Sequence, residues 1–368
     1  MTWNWQQKDW PNFTYDKSTL EQLEADFLKN TGLLQGMLKY LPEEDKLILM
    51  VDMMSNEALK TSEIEGDYLN RESIQSSIRR NFGLDADNRK VPPAERGIAN
   101  LLVDLYKTYA EPLTHEKLFC WHEYLTDGRR DLLDIGKYRT HPEPMQVISG
   151  SYHKQKIHFV APASKEIPKE MDRFIQWFNT TSFERNDHLP ILTRAGIAHL
   201  YFVCIHPFED GNGRIARAIA EKSLSQSLQH PTLISLSHVI QKHKKDYYQA
   251  LEDNNKFMEI TDWLVYFAKT VIEAQLYSQS LIEFIINKSR ILDRLRGQLN
   301  SRQSRTLLRM FKEGPEGFKG GLSADNYIRI TDASRATATR DLQDLVEKDV
   351  LLKTGELKGT RYHLILKC

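Results

Sequence analysis

The run His206-Pro207-Phe208-Glu209-Asp210-Gly211-Asn212-Gly213-Arg214-Ile215-Ala216-Arg217 brings together residue types that could do chemistry: a base, a carboxylate, two glycines, an amide and two arginines. The apolar stretch Ile191–Ile205 before it has helical spacing, and Pro207, which lacks an N–H, ends that helix near His206. Helical periodicity resumes from Arg214 through Leu228. A helix end, a tight turn and a helix start form an anion cradle, because the first N–H groups of a helix lack internal partners and sit at its positive end. Gly211 and Gly213 let the backbone come close to a ligand. Arg214 and Arg217, three apart, share a face on which both can grip phosphates. Asp210 is a hard oxygen ligand suited to Mg2+, and His206 is the group whose ordinary pKa lies near neutrality. Together these parts predict transfer from a Mg-nucleotide to a hydroxyl. An ordinary polar turn between two helices accounts for one or two of the residues, but not for the whole run.

The twelve residues resemble, position for position, the HPFx[D/E]GNGRxxR signature of the Fic family. That resemblance implies a mainly α chain: a Fic helical bundle with a small β-hairpin flap. It also implies an adenylyltransferase that moves AMP from ATP to a Tyr, Thr or Ser hydroxyl of a protein. On this reading His206 is the catalytic base and Asp210 holds the metal at the α- and β-phosphates. Asn212 and the N–H groups around Gly211 and Gly213 stabilise the α-phosphate, and Arg214 and Arg217 hold the β- and γ-phosphates. Ile215 and Ala216 complete the ATP-binding run. A branch that transfers phosphate instead carries Lys where this chain has Gly213.

Other segments must position this site. A helix is predicted from Glu43 to Glu65, with Met54, Ala58, Thr61 and Glu65 on one stripe and Gly66 closing it. Taken alone, Glu65 reads as a solvated end residue. Beside a Fic motif, Thr61–Gly66 resembles the inhibitory pattern [S/T]xxxE[G/N], which implies that Glu65 pairs with Arg217 and denies it to the γ-phosphate. Alternation around a Gly-containing turn predicts a hairpin from Val147–Gly150 to Lys156–Pro162. The resemblance makes this the flap, with Val147, Ile148, Ser149 and Gly150 lining the nucleotide site and a target segment added as a strand. Tyr247 and Asn255, two turns apart on one helix, could stack on and read an adenine, though the same spacing fits an amphipathic helix with an interfacial Tyr. The resemblance favours adenosine, with Tyr247 and Tyr248 both candidates.

The chain has 368 residues, 50 Lys/Arg and 50 Asp/Glu, a balance that argues against global binding to nucleic acid or anionic membrane. Three cysteines without pairing pattern, and no apolar stretch of membrane-spanning length, predict a reducing, cytoplasmic setting with no membrane partner. Trp3, Trp5 and Trp10 predict an arm docked on the body or on a partner. The boundaries drawn are 1–94 for the N-terminal helical region, 95–297 for the catalytic core and 298–368 for a C-terminal domain. In that last part a helix over 304–312, a second reached through Thr331–Leu342 and a hairpin over 351–364 resemble a winged helix-turn-helix. Residues 301–368 carry thirteen Lys/Arg against nine Asp/Glu, a net of plus four. DNA binding through 300–368 and protein contact or homodimerisation stay equally open. The leading expectation is thus a self-inhibited adenylyltransferase acting on a target protein and on itself, with reverse de-AMPylation open. The alternative is a nucleotide-sensing, DNA-binding transcriptional regulator.

Overall fold

In the computed structural model, the described residues are 2–39, 41–150, 155–183, 188–315 and 317–366. Cys368, counted above, lies outside them. The elements in chain order are α1 (Lys17–Lys39), α2 (Glu43–Glu65), α3 (Arg71–Asn81), α4 (Pro93–Thr108), α5 (His115–Leu125), strands β1 (Gln146–Ser149) and β2 (Lys156–Val160), α6 (Ile167–Thr180), α7 (Ile191–Ile205), α8 (Asn212–Leu228), α9 (Leu236–Lys242), α10 (Lys244–Asn254), α11 (Thr261–Arg294), α12 (Ser301–Phe311), α13 (Ala324–Thr331), α14 (Arg335–Glu347), β3 (Leu351–Thr354) and β4 (Arg361–Leu364). No helix among the described residues is long and apolar enough to cross a membrane. The chain divides into two units, residues 1–35 with 50–278 and residues 36–49 with 279–368.

The first unit is built on α7. This helix is apolar almost all round, and such a helix stays folded only when neighbours cover every side. Phe174 and Phe178 of α6, Ile215 and Ile219 of α8 and Trp263 and Phe267 of α11 are buried in the same core as its Phe202. Trp263 donates to the Gly196 carbonyl at 2.8 Å, where a Cβ on Gly196 would meet Leu264 at 2.8 Å. Local sequence sets the ends of neighbouring helices: Asn70 caps α3 by accepting from Ser73 N, and Thr114 caps α5 by accepting from Lys117 N. Strands β1 and β2 pair antiparallel as the predicted hairpin.

The tryptophan arm packs on the body. Trp3 stands edge-on to Phe159 of β2, Trp5 donates to the Val160 carbonyl at 2.7 Å, and Trp10 donates to Glu170 at 2.8 Å. Helix α1 runs on through Gly32 and Gly36 to Lys39. Tertiary bonds outweigh the glycines there: Gln275 donates to Thr31 Oγ1 at 2.8 Å and to the Phe27 carbonyl at 3.2 Å.

In the second unit, Asp341 is the hub. Arg302, Asn300 and Tyr327 all donate to its carboxylate, which joins α12, α13 and α14. An antiparallel bridge between Leu322 and Tyr362 ties the segment leading into α13 to the β3–β4 hairpin. Helix α13, which the periodicity did not predict, begins with a reciprocal cap between Ser323 and Asn326.

Candidate active site

His206 ends α7 in the left-handed conformation, φ 51° and ψ 59°, with its N–H bonded to the Phe202 carbonyl at 3.0 Å. A non-glycine residue there costs about 1–3 kcal/mol and needs support from its surroundings. Arg139 gives it. Its Nε donates to the His206 carbonyl at 2.9 Å, Nη2 to the Pro162 carbonyl at 2.6 Å and Nη1 to Ser164 Oγ at 2.8 Å, while its own N–H bonds Pro207 O at 3.0 Å. Burial pulls the Arg139 pKa down to about 10, which still leaves it charged. Arg139→Met would strip the His206 and Pro162 carbonyls of their side-chain donor, at about 1–3 kcal/mol for each one left unsatisfied. Thermal melts should therefore show a clearly less stable protein, and an unchanged midpoint would contradict this role.

The His206 ring lies with Nδ1 3.3 Å from the Val203 carbonyl. In the neutral ring Nδ1–H donates there, leaving Nε2 with the lone pair. Burial drives the His206 pKa down to about 4, against the Val203 bond, which raises it. The folded state thus binds fewer protons than an unfolded chain with an ordinary histidine. This contribution to stability is full above about pH 6.5 and is lost as pH falls toward 4. Nitrogen-edited NMR of the imidazoles should show His206 neutral from pH 7 to 5, identified by the signal that His206→Ala removes. Titration near pH 6.5 would refute this.

Past Pro207, Phe208 is fully buried and stacks on His122 at 4.3 Å. Asn212 closes the turn, accepting from Phe208 N at 3.0 Å and donating to Phe208 O at 2.8 Å. Its amide is thus a clamp on the loop, and what it offers a phosphate is its backbone N–H at the head of α8. Gly211 precedes α8 with φ 81°. Asp210 accepts from Gly211 N at 2.6 Å and pairs with Arg129 at 2.6 Å and Arg214 at 3.5 Å. Burial opposes the Asp210 charge, but Arg214, Arg129 and the Gly211 N–H together keep its pKa low.

Arg217 is almost fully buried, and the Thr61–Glu65 stripe of α2 meets it. Its Nη2 lies 2.7 Å from Glu65 Oε1 and 2.9 Å from the Thr61 carbonyl, and its Nε lies 2.8 Å from Thr61 Oγ1. Burial works against the Arg217 charge, and Glu65 outweighs it, so the pKa is raised. A Cβ built on Gly213 would fall 2.3 Å from the same Glu65 oxygen. The Glu65 carboxylate therefore lies over the first turn of α8, where a phosphate oxygen would be expected.

A cavity of ≈ 800 Å³ is lined by Glu65, His206, Asp210, Gly211, Asn212 and Gly213, by Val147, Ile148 and Ser149 of β1, and by Tyr247, Tyr248 and Asn255. Gly150, Arg214, Ile215, Ala216 and Arg217 are not part of its wall. Ile215 and Ala216 are fully buried core residues, so only their backbone could serve a ligand. The two tyrosines differ. Tyr247 is buried with its hydroxyl 3.1 Å from His199 Nε2, whereas Tyr248 is 41% exposed. Asn255 Nδ2 donates to the His158 carbonyl at 3.0 Å, and its Oδ1 is buried without a partner. Arg217 Nη1 and Arg214 Nε are likewise buried without partners, and of the three residues Asn255 alone belongs to the cavity wall, where its Oδ1 has hydrogen-bonding capacity for a ligand.

Among the described residues no three His, Cys, Asp or Glu side chains converge on one point. A Mg2+ ion carried in by a nucleotide needs only one or two carboxylates, its remaining ligands being phosphate and water oxygens. Asp210 at the mouth of the cradle fits that donor set once Arg129 lets go of it.

Arg129, Arg139 and His122 were not singled out as site residues by the sequence. Each reaches the motif from more than sixty positions away, and none belongs to a local pattern. The usable signal was Arg139 itself, an arginine between Tyr138 and the flap with no acid next to it in sequence.

Comparison with known proteins agrees with this geometry. Residues 112–224 match the Fic/DOC family, and residues 3–84 match a "Domain of unknown function (DUF4172)". Protein adenylyltransferase Fic of Culex quinquefasciatus is 29% identical over 131 residues, 34% of this chain and 24% of the relative. The protein of the same name from Nematostella vectensis is 30% identical over 118 residues, 31% of this chain and 25% of the relative. The chain thus spans about a quarter of the length of these curated relatives. A Fic family protein from Desulfovibrio desulfuricans G20 shares the fold over 97% of this chain and 99% of its own, with a TM-score of 0.55 and 20% identity. A Fic domain containing signaling protein from Bacteroides thetaiotaomicron VPI-5482 does so over 72% and 96%, with a TM-score of 0.51 and 19% identity. With the helical bundle, the hairpin and the HPFxxGNGRxxR turn in place, residues 112–224 of this chain form a Fic/DOC-family domain.

Proposed function

We propose that this chain is a protein adenylyltransferase held inactive by its own Glu65. The observation that carries the reading is the double engagement of one carboxylate, salt-bridged to Arg217 and laid over Gly213 at the head of α8. In the active state Arg217 and Arg214 hold the β- and γ-phosphates of ATP, and the N–H groups of Gly211, Asn212 and Gly213 face the α-phosphate. Asp210 would hold Mg2+, which when bound would supply positive charge to offset that of the phosphates. The Asn255 Oδ1 accepts from the adenine amino group, and Tyr248 packs on the base. A Tyr, Thr or Ser hydroxyl of the target, paired along β1, gives its proton to His206 Nε2 as its oxygen attacks the α-phosphorus. Catalysis is then positioning and charge stabilisation rather than covalent work by the protein. The same cleft can hydrolyse AMP from a modified hydroxyl if Glu65 orients a water to attack the phosphorus, which makes de-AMPylation the companion activity. The free thiols of Cys120 and Cys204 suit a reducing, cytoplasmic setting.

Mass spectrometry of Glu65→Gly protein incubated with ATP and a cell lysate tests the reading. AMP adducts on hydroxyl side chains support it, and phosphate adducts alone would overturn it. For the chain as a whole we keep the division 1–94, 95–297 and 298–368. A second activity is favoured by one observation, that Arg335, Thr339 and Arg340 are exposed on α14 beside the β3–β4 hairpin. This is the placement that a winged helix uses to reach DNA. Salt-sensitive binding of DNA by the full chain, weakened by Arg340→Ala, would support the regulator reading; its absence would leave 298–368 a protein-contact or dimerisation module.

A further inference from the structure

Ser149, His158 and Glu252 form a second line of proton-handling groups in the cleft, separate from His206. Ser149 Oγ lies 2.5 Å from His158 Nε2, and His158 Nδ1 lies 2.6 Å from Glu252 Oε2 at the end of α10. Lys156 Nζ, at 2.7 Å, fixes the other oxygen of Glu252. With Glu252 ionised, Nδ1 carries the proton and donates to it, so Nε2 is left to accept from the Ser149 hydroxyl. That is the order of a nucleophile, a base and an acid that orients the base.

The hairpin is shaped to make this line. Pairing steps from Val147↔Phe159 to Ile148↔Ile157, which leaves His158 as the extra residue of a β-bulge. A bulge re-aims a side chain, and such bulges recur beside active sites. Here the bulged carbonyl is itself held by Asn255 at 3.0 Å. Ser149, Lys156, His158 and Glu252 all line the cavity that also contains His206 and the head of α8.

We infer that Ser149 is a self-acceptor of AMP with its own base, an inference that rests on the adenylyltransferase reading above. Ser149 Oγ forms a bond to the α-phosphorus of ATP as the bond from that phosphorus to the pyrophosphate oxygen breaks. The hydroxyl proton passes to His158 Nε2, Glu252 stabilises the imidazolium that forms, and pyrophosphate leaves.

Full-length Glu65→Gly protein incubated with ATP and magnesium, then digested and mapped by tandem mass spectrometry, should carry AMP on Ser149. Adding His158→Gln should lower Ser149 occupancy at least about 100-fold relative to AMP on other hydroxyls of the same molecules. AMP elsewhere with Ser149 unmodified overturns the inference and leaves the adenylyltransferase reading standing. AMP nowhere on the chain or on other protein, with no pyrophosphate released, overturns both. Equal Ser149 occupancy with and without His158 overturns the assignment of the base. The first mapping leaves the relay intact, so it decides the matter even where the His158 variant misfolds.

Discussion

Glu65→Gly should raise AMP incorporation into protein roughly 100-fold. Breaking one side of a buried ion pair is worth about 3–5 kcal/mol, and a carboxylate that keeps some exposure belongs at the low end. At about 1.4 kcal/mol per factor of ten, that is two orders of magnitude. Glu65 is 27% exposed while Arg217 is 2% exposed, so the arginine is the partner left stranded. It should not swing away, because Thr61 still accepts from its Nε and Nη2. The freed guanidinium stays aimed at the place where the carboxylate had been, where the γ-phosphate can replace it. Two signatures accompany the gain. Without nucleotide the variant should melt below the parent, and ATP should raise its melting temperature more than it raises the parent's, since a ligand stabilises by its affinity for the folded state. Glu65→Gln, which removes the charge but not the bulk over Gly213, should be activated less. Quantitative labelling of parent, Gln and Gly proteins side by side reads all three, and equal labelling of the three would remove Glu65 from the account.

His206→Ala should abolish transfer to target proteins in the parent and in the Glu65→Gly background alike. A positioned general base contributes about 10²–10⁴-fold, and the loss should fall on kcat with little change in ATP affinity. The reason is geometric. Its carbonyl is tied to Arg139, its Nδ1 faces Val203, and the free Nε2 is its only group left for chemistry. A side chain in a left-handed backbone conformation can be shortened to Ala without losing the Arg139 bond, which is made by the carbonyl. The variant should therefore keep its fold, and circular dichroism with ATP titration checks that. Loss of ATP binding together with turnover would recast His206 as a structural residue.

Much of the site could be read in the sequence because it is local. The cradle is twelve consecutive residues, and the helix bearing Glu65 appears over Glu43–Glu65, the bounds that its periodicity predicts. The meeting of Thr61, Glu65 and Arg217 spans more than 150 positions. Periodicity put Thr61 and Glu65 on one stripe, but only the family resemblance said what that stripe would face. Arg139, Arg129 and His122 stayed hidden for the same reason, since each supports the motif through contacts that no spacing rule encodes. The Asn212 amide also holds Phe208 with both its ends, a contact within the turn that residue type alone does not reveal. The start of α8 at Asn212 rather than Arg214 follows from that clamp. Helix α13 escaped because eight residues are too few to establish a period, and its Ser323–Asn326 cap lacks the acid that usually marks such a start. The pairing of Ser149 with His158 depends on a one-residue bulge, and alternation alone cannot place a bulge.

One labelling experiment reads both nucleotidyl transfer by the cleft and the control of access to it by Glu65. Parent, Glu65→Gly and Glu65→Gly/His206→Ala proteins should be incubated with an acceptor lysate and ATP radiolabelled at either the α- or the γ-phosphate. Protein-bound label is expected from α-labelled ATP, about 100-fold stronger in Glu65→Gly than in the parent and absent from acceptor proteins with the double variant, with none from γ-labelled ATP beyond that of lysate alone. Label arriving from γ-labelled ATP alone, or equal α-label in parent and Glu65→Gly, would contradict that expectation.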